Sequence, residues 1–313
     1  MSRRRAALIA ALAATALLVP PADAGVVYPG PATSGDFAGL VTIPGGRRLY
    51  LECHGTGTPT VVFESGLRSR SDYWAYSLQG PGTGPLPRVT PFTRACVYDR
   101  PGTLFGLGNR SRSDPVPMPR TTGEIAVDLH ELLTAAGVPG PYVLAGGSTG
   151  GLIARQYAAY YPAEVAGMVL IDAISEAVQS GMKRKQFIRY NHRYLQSPGY
   201  EARQYPDLEY VDFYRSFAEM RRKPRPPHRM PMIVISSQLG FGQPAGVTPG
   251  FARLVNRVWD RAQRYLASLQ PGVPHVIAIG SGHQIAANRP GLVARMVMRV
   301  VDAVRSGRPL KGR

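Results

Sequence analysis

Short apolar runs alternate with amphipathic stretches along most of the chain. The apolar or alternating runs predict β-strands at 37–43, 48–53, 60–64, 94–98, 142–145, 165–171, 232–236 and 275–279. Apolar residues at helical spacing predict helices at 125–136 and 152–161, and another helix after Pro290. Strands that alternate with helices are typical of a mainly parallel sheet with helices on both faces. The predicted fold class is therefore α/β.

The segment between residues 174 and 230 departs from this pattern, because it is rich in polar, aromatic and basic residues. We interpret it as a helical cap that is inserted into the main fold and covers one edge of the sheet. No internal repeat or low-complexity block divides the rest of the chain. Residues 25–313 are therefore predicted to form a single domain with a cap insertion.

The first 24 residues have the parts of a secretory signal peptide. Three arginines at 3–5 give a positive start, an uncharged apolar run follows at 6–19, and Ala-Asp-Ala at 22–24 offers a cleavage site. An apolar run of this length is shorter than the roughly 20 residues that span a bilayer. A buried N-terminal helix is the alternative. No later stretch predicts an integral membrane helix, and we expect a secreted protein, extracellular or periplasmic.

Charge is the extreme value of the composition, since 37 Lys and Arg against 20 Asp and Glu give a formal net charge of +17. Such a charge is compatible with a nucleic acid or an anionic membrane as partner, but no nucleic-acid-binding motif accompanies it. Between Glu176 and Arg229 there are 12 basic and 6 acidic residues, so +6 belongs to the predicted cap. We interpret the charge as a solvated surface, with an anion-tolerant cap as the alternative, and predict no nucleic acid partner.

The sequence contains no motif for binding a metal ion or a nucleotide. Two cysteines cannot supply a four-cysteine zinc site. There is also no dispersed cluster of Cys and His and no glycine-rich loop of the phosphate-binding kind. We therefore predict neither a metal nor a nucleotide cofactor.

Ser148 lies in the sequence Gly146-Gly-Ser-Thr-Gly150, with a predicted strand before it and a predicted helix after it. In the G-x-S-x-G motif the serine occupies a sharp strand-to-helix turn that exposes its hydroxyl group. Flanking glycines let the strand and the helix approach each other, and the start of the helix offers N–H groups to a developing oxyanion. We interpret Ser148 as a catalytic nucleophile rather than as part of a plain glycine-rich turn.

With this motif in its setting, the chain resembles the α/β-hydrolase family. The resemblance includes the approach to the serine at 131–151, the next strand with Asp172, and Tyr98-Asp-Arg-Pro-Gly102 after the fourth strand. It covers nearly all of the chain after residue 24. It implies an α/β-hydrolase fold, with a mainly parallel central sheet and a cap at 174–230 that lies over the serine and shapes the substrate pocket.

His283 has the setting that a general base requires. It follows the last predicted strand in a loop that resembles the closing motif of the family, and an imidazole can take and return a proton near neutral pH. His54-Gly55 copies the His-Gly of many oxyanion loops, but it lies one strand too early and is interpreted as part of a turn. By resemblance, the oxyanion donors are the backbone N–H groups of Leu67 and Thr149.

The catalytic acid departs from the commonest pattern of the family. Members usually carry Asp or Glu after the next-to-last strand, where this chain reads Ser237-Gln-Leu-Gly240. Some members carry it one strand earlier, and there Asp172 lies at the edge of the sheet where ligands bind in open α/β folds. Asp172 is our assignment. The alternatives are Glu176, Asp260, or a merely structural aspartate with no carboxylate partner for the histidine.

The resemblance also implies a cross-link. In the α/β-hydrolase sheet the strands that contain Cys53 and Cys96 are antiparallel neighbours, and an exported protein meets oxidising conditions. We therefore expect a disulfide between these cysteines, with two buried free thiols as the alternative.

Taken together, these residues predict a secreted serine hydrolase that cleaves carboxylic esters through an acyl-enzyme. Peptidase action on proline or short-peptide N-termini is the alternative, because Gly146-Gly147-Ser148 also resembles the proline iminopeptidase branch of the family. A non-catalytic binding module is a third hypothesis, which the presence of both Ser148 and His283 disfavours. Dehalogenase chemistry is disfavoured as well, since that branch carries Asp at the position of Ser148.

Overall fold

A computed structural model of the chain describes residues 36–106, 108–196 and 205–310. The predicted signal peptide at 1–24 lies outside the described residues, as does the predicted start of the mature domain at residue 25. Both stay predictions.

Within the described residues, eight strands form one mainly parallel sheet. Along the chain they are β1 (Phe37–Thr42), β2 (Arg48–His54), β3 (Thr60–Glu64), β4 (Ala95–Tyr98), β5 (Tyr142–Gly147), β6 (Val165–Ile171), β7 (Met232–Ser237) and β8 (His275–Ala278). Their spatial order is β1-β2-β4-β3-β5-β6-β7-β8. Strand β2 is antiparallel to β1 and β4, and the other neighbours are parallel. All eight predicted strands are present, and their ends differ from the prediction by no more than two residues.

Nine α-helices occur in the described parts of the chain. They are α1 (Leu86–Val89), α2 (Thr122–Ala135), α3 (Thr149–Tyr160), α4 (Glu176–Ser180), α5 (Arg184–Tyr190), α6 (Phe213–Arg222), α7 (Pro249–Ala267), α8 (Ile285–Asn288) and α9 (Pro290–Ser306). A π-helical turn, Asn191–Leu195, continues α5. None of these helices is long and apolar enough to cross a membrane.

Helices α2 and α3 each begin three residues before the predicted starts at 125 and 152. At α2, the Thr121 hydroxyl accepts from the Glu124 amide, and the Glu124 carboxylate accepts from the Thr121 amide. This capping box satisfies two backbone donors and extends the helix backwards. At α3, the first turn contains Gly150 and Gly151, which are weak helix formers and conceal the start of the helix in the sequence.

Helices cover both faces of the sheet. One core contains residues of α1, α8 and α9, and the other contains residues of α2, α3, α7 and the cap helices. In β3, Val61 and Phe63 belong to the first core while Val62 belongs to the second. Because both sides of the strand are buried, its sequence is a continuous apolar run rather than an alternation.

Residues 174–230 connect β6 to β7 and contain α4, α5 and α6. Phe187 contacts Tyr190 and Phe217, and Phe217 contacts Phe213, with ring centroids 5.7–6.1 Å apart. All four side chains are buried in the core shared with α2, α3 and α7. These aromatic residues therefore pack the predicted cap against the rest of the fold.

Cys53 of β2 and Cys96 of β4 occupy the same register position of an antiparallel pair and are joined by a disulfide. Both are fully buried. The bond links residues 43 positions apart and ties the antiparallel edge of the sheet to its parallel part.

Replacing both cysteines by alanine is expected to lower the free energy of unfolding by about 2–4 kcal/mol, because the cross-link restricts the unfolded chain. Urea denaturation of the oxidised wild type and of the double variant measures the loss. Intact mass after alkylation, with and without reductant, is the control for bond formation. Equal stabilities of the double variant and a fully oxidised wild type would contradict this expectation.

Candidate active site

Ser148 lies at the turn between β5 and α3, with φ 52° and ψ −118°. A Cβ atom at Gly146 would lie 2.4 Å from the Gly150 carbonyl oxygen, and one at Gly150 would lie 2.1 Å from the Glu64 carbonyl oxygen. Side chains at these two positions would therefore force the strand and the helix apart. The Ser148 amide donates to the Ile171 carbonyl oxygen at 3.0 Å, which attaches the turn to the end of β6.

Three non-glycine residues in the described part of the chain have left-handed backbone: Arg68, Ser148 and Asp172, with φ of 60°, 52° and 42°. Each such conformation costs about 1–3 kcal/mol, and such strain clusters at functional sites. Arg68 and Ser148 line the same cavity, and Asp172 is linked to Ser148 through His283. The strained positions therefore meet at one place in the fold.

The side chains of Ser148, His283 and Asp172 form a chain of hydrogen bonds. His283 Nε2 lies 3.0 Å from Ser148 Oγ, and His283 Nδ1 lies 2.7 Å from Asp172 Oδ2. An imidazole with its proton on Nδ1 donates to Asp172 and can accept the hydroxyl proton of Ser148 at Nε2. The fold thus brings together the three residues that the sequence predicted.

His283 is held by its backbone and by two aromatic rings. Its amide donates to the Gly240 carbonyl oxygen at 3.1 Å. The centroid of the imidazole lies 4.2 Å from that of Phe241 and 5.5 Å from that of Trp259. These contacts restrict the ring to an orientation in which Nε2 is near Ser148.

The Asp172 carboxylate is almost completely buried, with 1% of the residue exposed. Besides the contact with His283, Oδ1 accepts from the Ser237 amide and from Trp259 Nε1, each at 3.0 Å. Oδ2 accepts from the Ser237 hydroxyl group at 3.0 Å. Donors from β7, α7 and the loop after β8 therefore compensate the burial of this carboxylate.

Ser237 and Trp259 are site residues that the sequence reasoning missed. Ser237 ends β7, where the family usually carries its acid, and here it donates to Asp172, which directly follows the neighbouring strand β6. Trp259 precedes Asp260, which was an alternative acid. Asp260 is exposed on α7, whereas the indole nitrogen of Trp259 reaches Asp172. A hydrogen-bonding residue at the usual acid position was the available signal for Ser237.

Glu176, the other alternative acid, and His54, the histidine of the His-Gly pair, contact residues outside the Ser148–His283–Asp172 chain. The Glu176 carboxylate accepts from Arg155 at 2.8 and 2.9 Å. Burial alone would raise the pKa of Glu176, but the hydrogen bonds and charge of Arg155 hold it below its usual value. His54 is the last residue of β2, so the prediction of a turn residue was wrong, and its ring contacts Glu52 and Asp36. The strand extends through His54 because this residue pairs with Ala95 of β4 in the sheet.

Leu67 and Thr149, the predicted oxyanion donors, both line the cavity that contains Ser148. A Cβ atom at Gly66 would lie 3.4 Å from Ser148 Cβ, so the loop that precedes Leu67 passes close to the serine. Thr149 is the first residue of α3. Within the described residues, neither amide donates to a protein atom. Both can therefore donate to a ligand, as the first amides of a helix commonly do.

A cavity of about 240 Å³ opens over Ser148 and His283. Its wall includes Leu67, Arg68 and Thr149, together with the aromatic side chains Tyr73, Trp74, Tyr194, Phe241 and Trp259. Among the residues found in this wall there is no Asp or Glu. No group of His, Cys, Asp and Glu side chains suited to a metal ion occurs at 36–106, 108–196 or 205–310.

The sheet order and the serine at a strand-to-helix turn define a hydrolase-type α/β protein. A family model described as alpha/beta hydrolase fold matches residues 53–289. The chain therefore belongs to the α/β-hydrolase fold family, and the predicted fold is confirmed.

Two relatives illustrate how much of the chain is shared. An uncharacterised protein of Schizosaccharomyces pombe, C23C11.06c, is 30% identical over 174 residues, or 49% of this chain and 31% of that protein. The chain thus spans about a third of that relative's length. The uncharacterised protein YqjL of Bacillus subtilis is 25% identical over 241 residues, 76% of this chain and 82% of that protein.

Solved structures with the same fold include two esterases. A thermophilic esterase of Thermogutta terrifontis has a TM-score of 0.56 and 20% identity, covering 86% of this chain and 99% of that one. The carboxylesterase CesB of Bacillus subtilis has a TM-score of 0.53 and 15% identity, covering 85% and 92%. The haloalkane dehalogenase DatA of Agrobacterium tumefaciens has a TM-score of 0.60 and 14% identity, covering 87% and 98%. At these identities the likeness establishes the fold.

Replacing Trp259 by Phe is expected to lower the free energy of unfolding by about 1.5–3 kcal/mol more than the same change at Trp74, because it removes a donor to a buried carboxylate. Trp74 is the matched control, since it is equally buried but its ring nitrogen has no partner among the described residues. Chemical denaturation measures both losses. The excess should shrink when Asp172→Asn is already present, and an excess that is unchanged in that background would contradict the assigned bond.

Proposed function

We propose that the protein is a serine hydrolase that cleaves carboxylic esters, with Ser148 as nucleophile, His283 as general base and acid, and Asp172 as the residue that orients the imidazole. The observation that carries the proposal is the chain of hydrogen bonds from Ser148 through His283 to the buried Asp172, at the floor of a cavity. This arrangement has the roles of a nucleophile–base–acid triad in the chain order that is typical of the fold.

In the first half of the reaction, Ser148 Oγ attacks the ester carbonyl carbon while His283 Nε2 takes the hydroxyl proton. Asp172 stabilises the imidazolium that forms. The carbonyl oxygen becomes an oxyanion and accepts hydrogen bonds from the amides of Leu67 and Thr149, each of which is worth a few kcal/mol of barrier lowering. The intermediate then expels the alcohol, which receives its proton from His283, and the acyl-enzyme remains.

The second half returns the enzyme to its starting state. His283 takes a proton from a water molecule, whose oxygen attacks the acyl carbon. A second oxyanion forms at the same amides, and its collapse releases the carboxylic acid. Ser148 recovers its proton from His283.

The wall of the cavity favours esters over peptides with a free N-terminus. A protonated α-amino group is usually bound by carboxylates, and no Asp or Glu occurs among the described residues of the wall. Arg68 also lines the cavity and adds positive charge. A neutral or anionic ester therefore suits the cavity better than an N-terminal peptide, and the names of the two esterases with the same fold agree with this choice.

We further propose that the protein acts outside the cytoplasm after removal of residues 1–24. The pattern of that segment supports export. The disulfide between Cys53 and Cys96 supports it independently, since such bonds persist in oxidising compartments.

A fluorophosphonate probe is expected to label Ser148 covalently and to abolish hydrolysis of a short-chain p-nitrophenyl ester. Ser148→Ala should lose both the label and the hydrolysis, while prolyl p-nitroanilide should be a poor substrate for the wild type. Peptide mapping by mass spectrometry locates the label. A folded wild type that shows no label on Ser148 would disprove the proposed nucleophile, and faster cleavage of the anilide would favour the peptidase alternative.

Asp172→Asn is expected to lower kcat for the same ester by about 10³- to 10⁴-fold, because an amide stabilises the wrong imidazole tautomer. Asp260→Asn is the matched control, since Asp260 is exposed on α7, and it should retain kcat within about twofold. Steady-state kinetics of the two variants decides between the carboxylates. Loss of activity in the Asp260 variant alone would reverse the assignment.

A further inference from the structure

Arg100 is a buried arginine that holds the loop after β3, and the mechanism above does not use it. We define residues 65–68 as the oxyanion loop. The Arg100 guanidinium donates to the carbonyl oxygens of Ser65 and Gly66 at 2.9 and 2.7 Å. It also donates to the Glu64 carboxylate at 2.5 Å. A single side chain therefore contacts the last residue of β3 and the next two residues of the chain.

The bond to Gly66 has a direct consequence for Leu67. The Gly66 carbonyl group and the Leu67 N–H group belong to one peptide unit, which is planar and trans. The two groups therefore point in opposite directions, and a donor that fixes the direction of the carbonyl also fixes the direction of the N–H. Arg100 thereby orients the amide that the proposed mechanism aims at the oxyanion.

Glu209 holds the other side of the same residue. Its carboxylate accepts from Arg100 Nε and Nη2 at 2.6 and 3.0 Å, and from the Arg68 amide at 2.6 Å. The Arg68 side chain returns a bond to the Glu209 carbonyl oxygen. Leu67 is thus flanked by two anchored peptide groups, one held by Arg100 and one by Glu209.

Glu209 belongs to the 174–230 insertion, so this anchor comes from the cap. The side chains of Arg100, Glu64 and Glu209 are all 2% exposed. Burial, together with the nearby charge of Glu209, outweighs the effect of Arg100 and raises the pKa of Glu64 to about 7. Arg100 makes two hydrogen bonds to Glu209 and one to Glu64, so Glu209 provides most of the carboxylate contacts of this guanidinium.

We propose that Arg100 and Glu209 are positioning residues for the oxyanion hole, and that through them the cap and the oxyanion loop form one mechanical unit. The inference rests on the proposed role of the Leu67 amide. The second donor is independent of this unit, because the carbonyl oxygen of the Ser148–Thr149 peptide accepts from the amides of Gly151 and Ile174. Disturbing Arg100 or Glu209 should therefore weaken one donor and leave the other intact.

The test compares Glu209→Gln with Glu176→Gln. A glutamine at 209 has one acceptor oxygen and one NH2 donor group in place of two acceptor oxygens. Its NH2 group must therefore face either the Arg68 amide or the Arg100 guanidinium, and both of these are donors. Glu176 is the matched control, because it also belongs to the insertion and forms a buried ion pair with a body arginine, Arg155. Among the described residues it makes no hydrogen bond to the oxyanion loop. Arg100→Lys is a second variant, since a lysine keeps the charge but cannot bridge four acceptors.

Three measurements are made on each variant: hydrogen–deuterium exchange of residues 65–70, kcat and KM for a p-nitrophenyl ester, and the thermal midpoint. We expect Glu209→Gln and Arg100→Lys to speed exchange in the oxyanion loop and to lower kcat about 10- to 100-fold, with KM within about threefold. Glu176→Gln should lower the thermal midpoint but keep loop exchange and kcat within about twofold of wild type.

Loop exchange in Glu209→Gln that matches Glu176→Gln would overturn the proposal, as would equal losses of kcat in the two variants. A wild type whose Ser148 does not react with fluorophosphonate would overturn the proposed function instead. The exchange data would then still decide whether Arg100 and Glu209 hold the loop, because exchange does not depend on catalysis.

Discussion

The buried Asp172 carboxylate is the interaction on which the arrangement of the site depends. A carboxylate with 1% exposure is stable only when donors replace the lost water. Ser237, Trp259 and His283 provide these donors from the end of β7, from α7 and from the loop after β8. The requirement to satisfy one charge therefore aligns three elements that are distant in the sequence, and the orientation of His283 follows from that alignment.

The same short segment also holds Ser148. The Ser148 amide donates to the carbonyl oxygen of Ile171, and the Ser148 carbonyl oxygen accepts from the amide of Ile174. Ile171 and Ile174 lie on either side of a turn at Asp172, where φ is 42°. The turn is bonded to the Ser148 turn through these two residues and to β7 through the Asp172 amide, which donates to the Ile235 carbonyl oxygen. An acid that follows β6 is therefore coupled to the nucleophile through the backbone as well as through the imidazole. An acid that follows β7 would lie one strand further from the serine.

Local patterns were sufficient to predict the strands, because each is a short apolar run whose burial does not depend on distant detail. They were also sufficient for Ser148, because the glycines on both sides of it indicate a close approach of strand and helix. They were insufficient for the starts of the two helices. Gly150 is a weak helix former, and the first turn after the capping Thr121 lacks apolar residues at helical spacing. Trp259 could not be predicted as a partner of Asp172, because the two residues are 87 positions apart and a contact between distant residues produces no repeating pattern in the sequence. The same holds for Arg100 and Glu209, 109 positions apart.

The distribution of charge in the 174–230 insertion follows from how it is attached. Three of its carboxylates pair with arginines of the body: Glu176 with Arg155, Glu209 with Arg100, and Asp207 with Arg110. By contrast, every Lys and Arg that the structure describes between 183 and 229 is exposed. Two of these pairs, Glu176 with Arg155 and Glu209 with Arg100, are buried, so two acids of the insertion face the body while its described basic residues face the solvent. Burial of these two acids makes the exposed surface of the insertion more basic than its composition alone, and one of the two, Glu209, is the acid that holds the oxyanion loop.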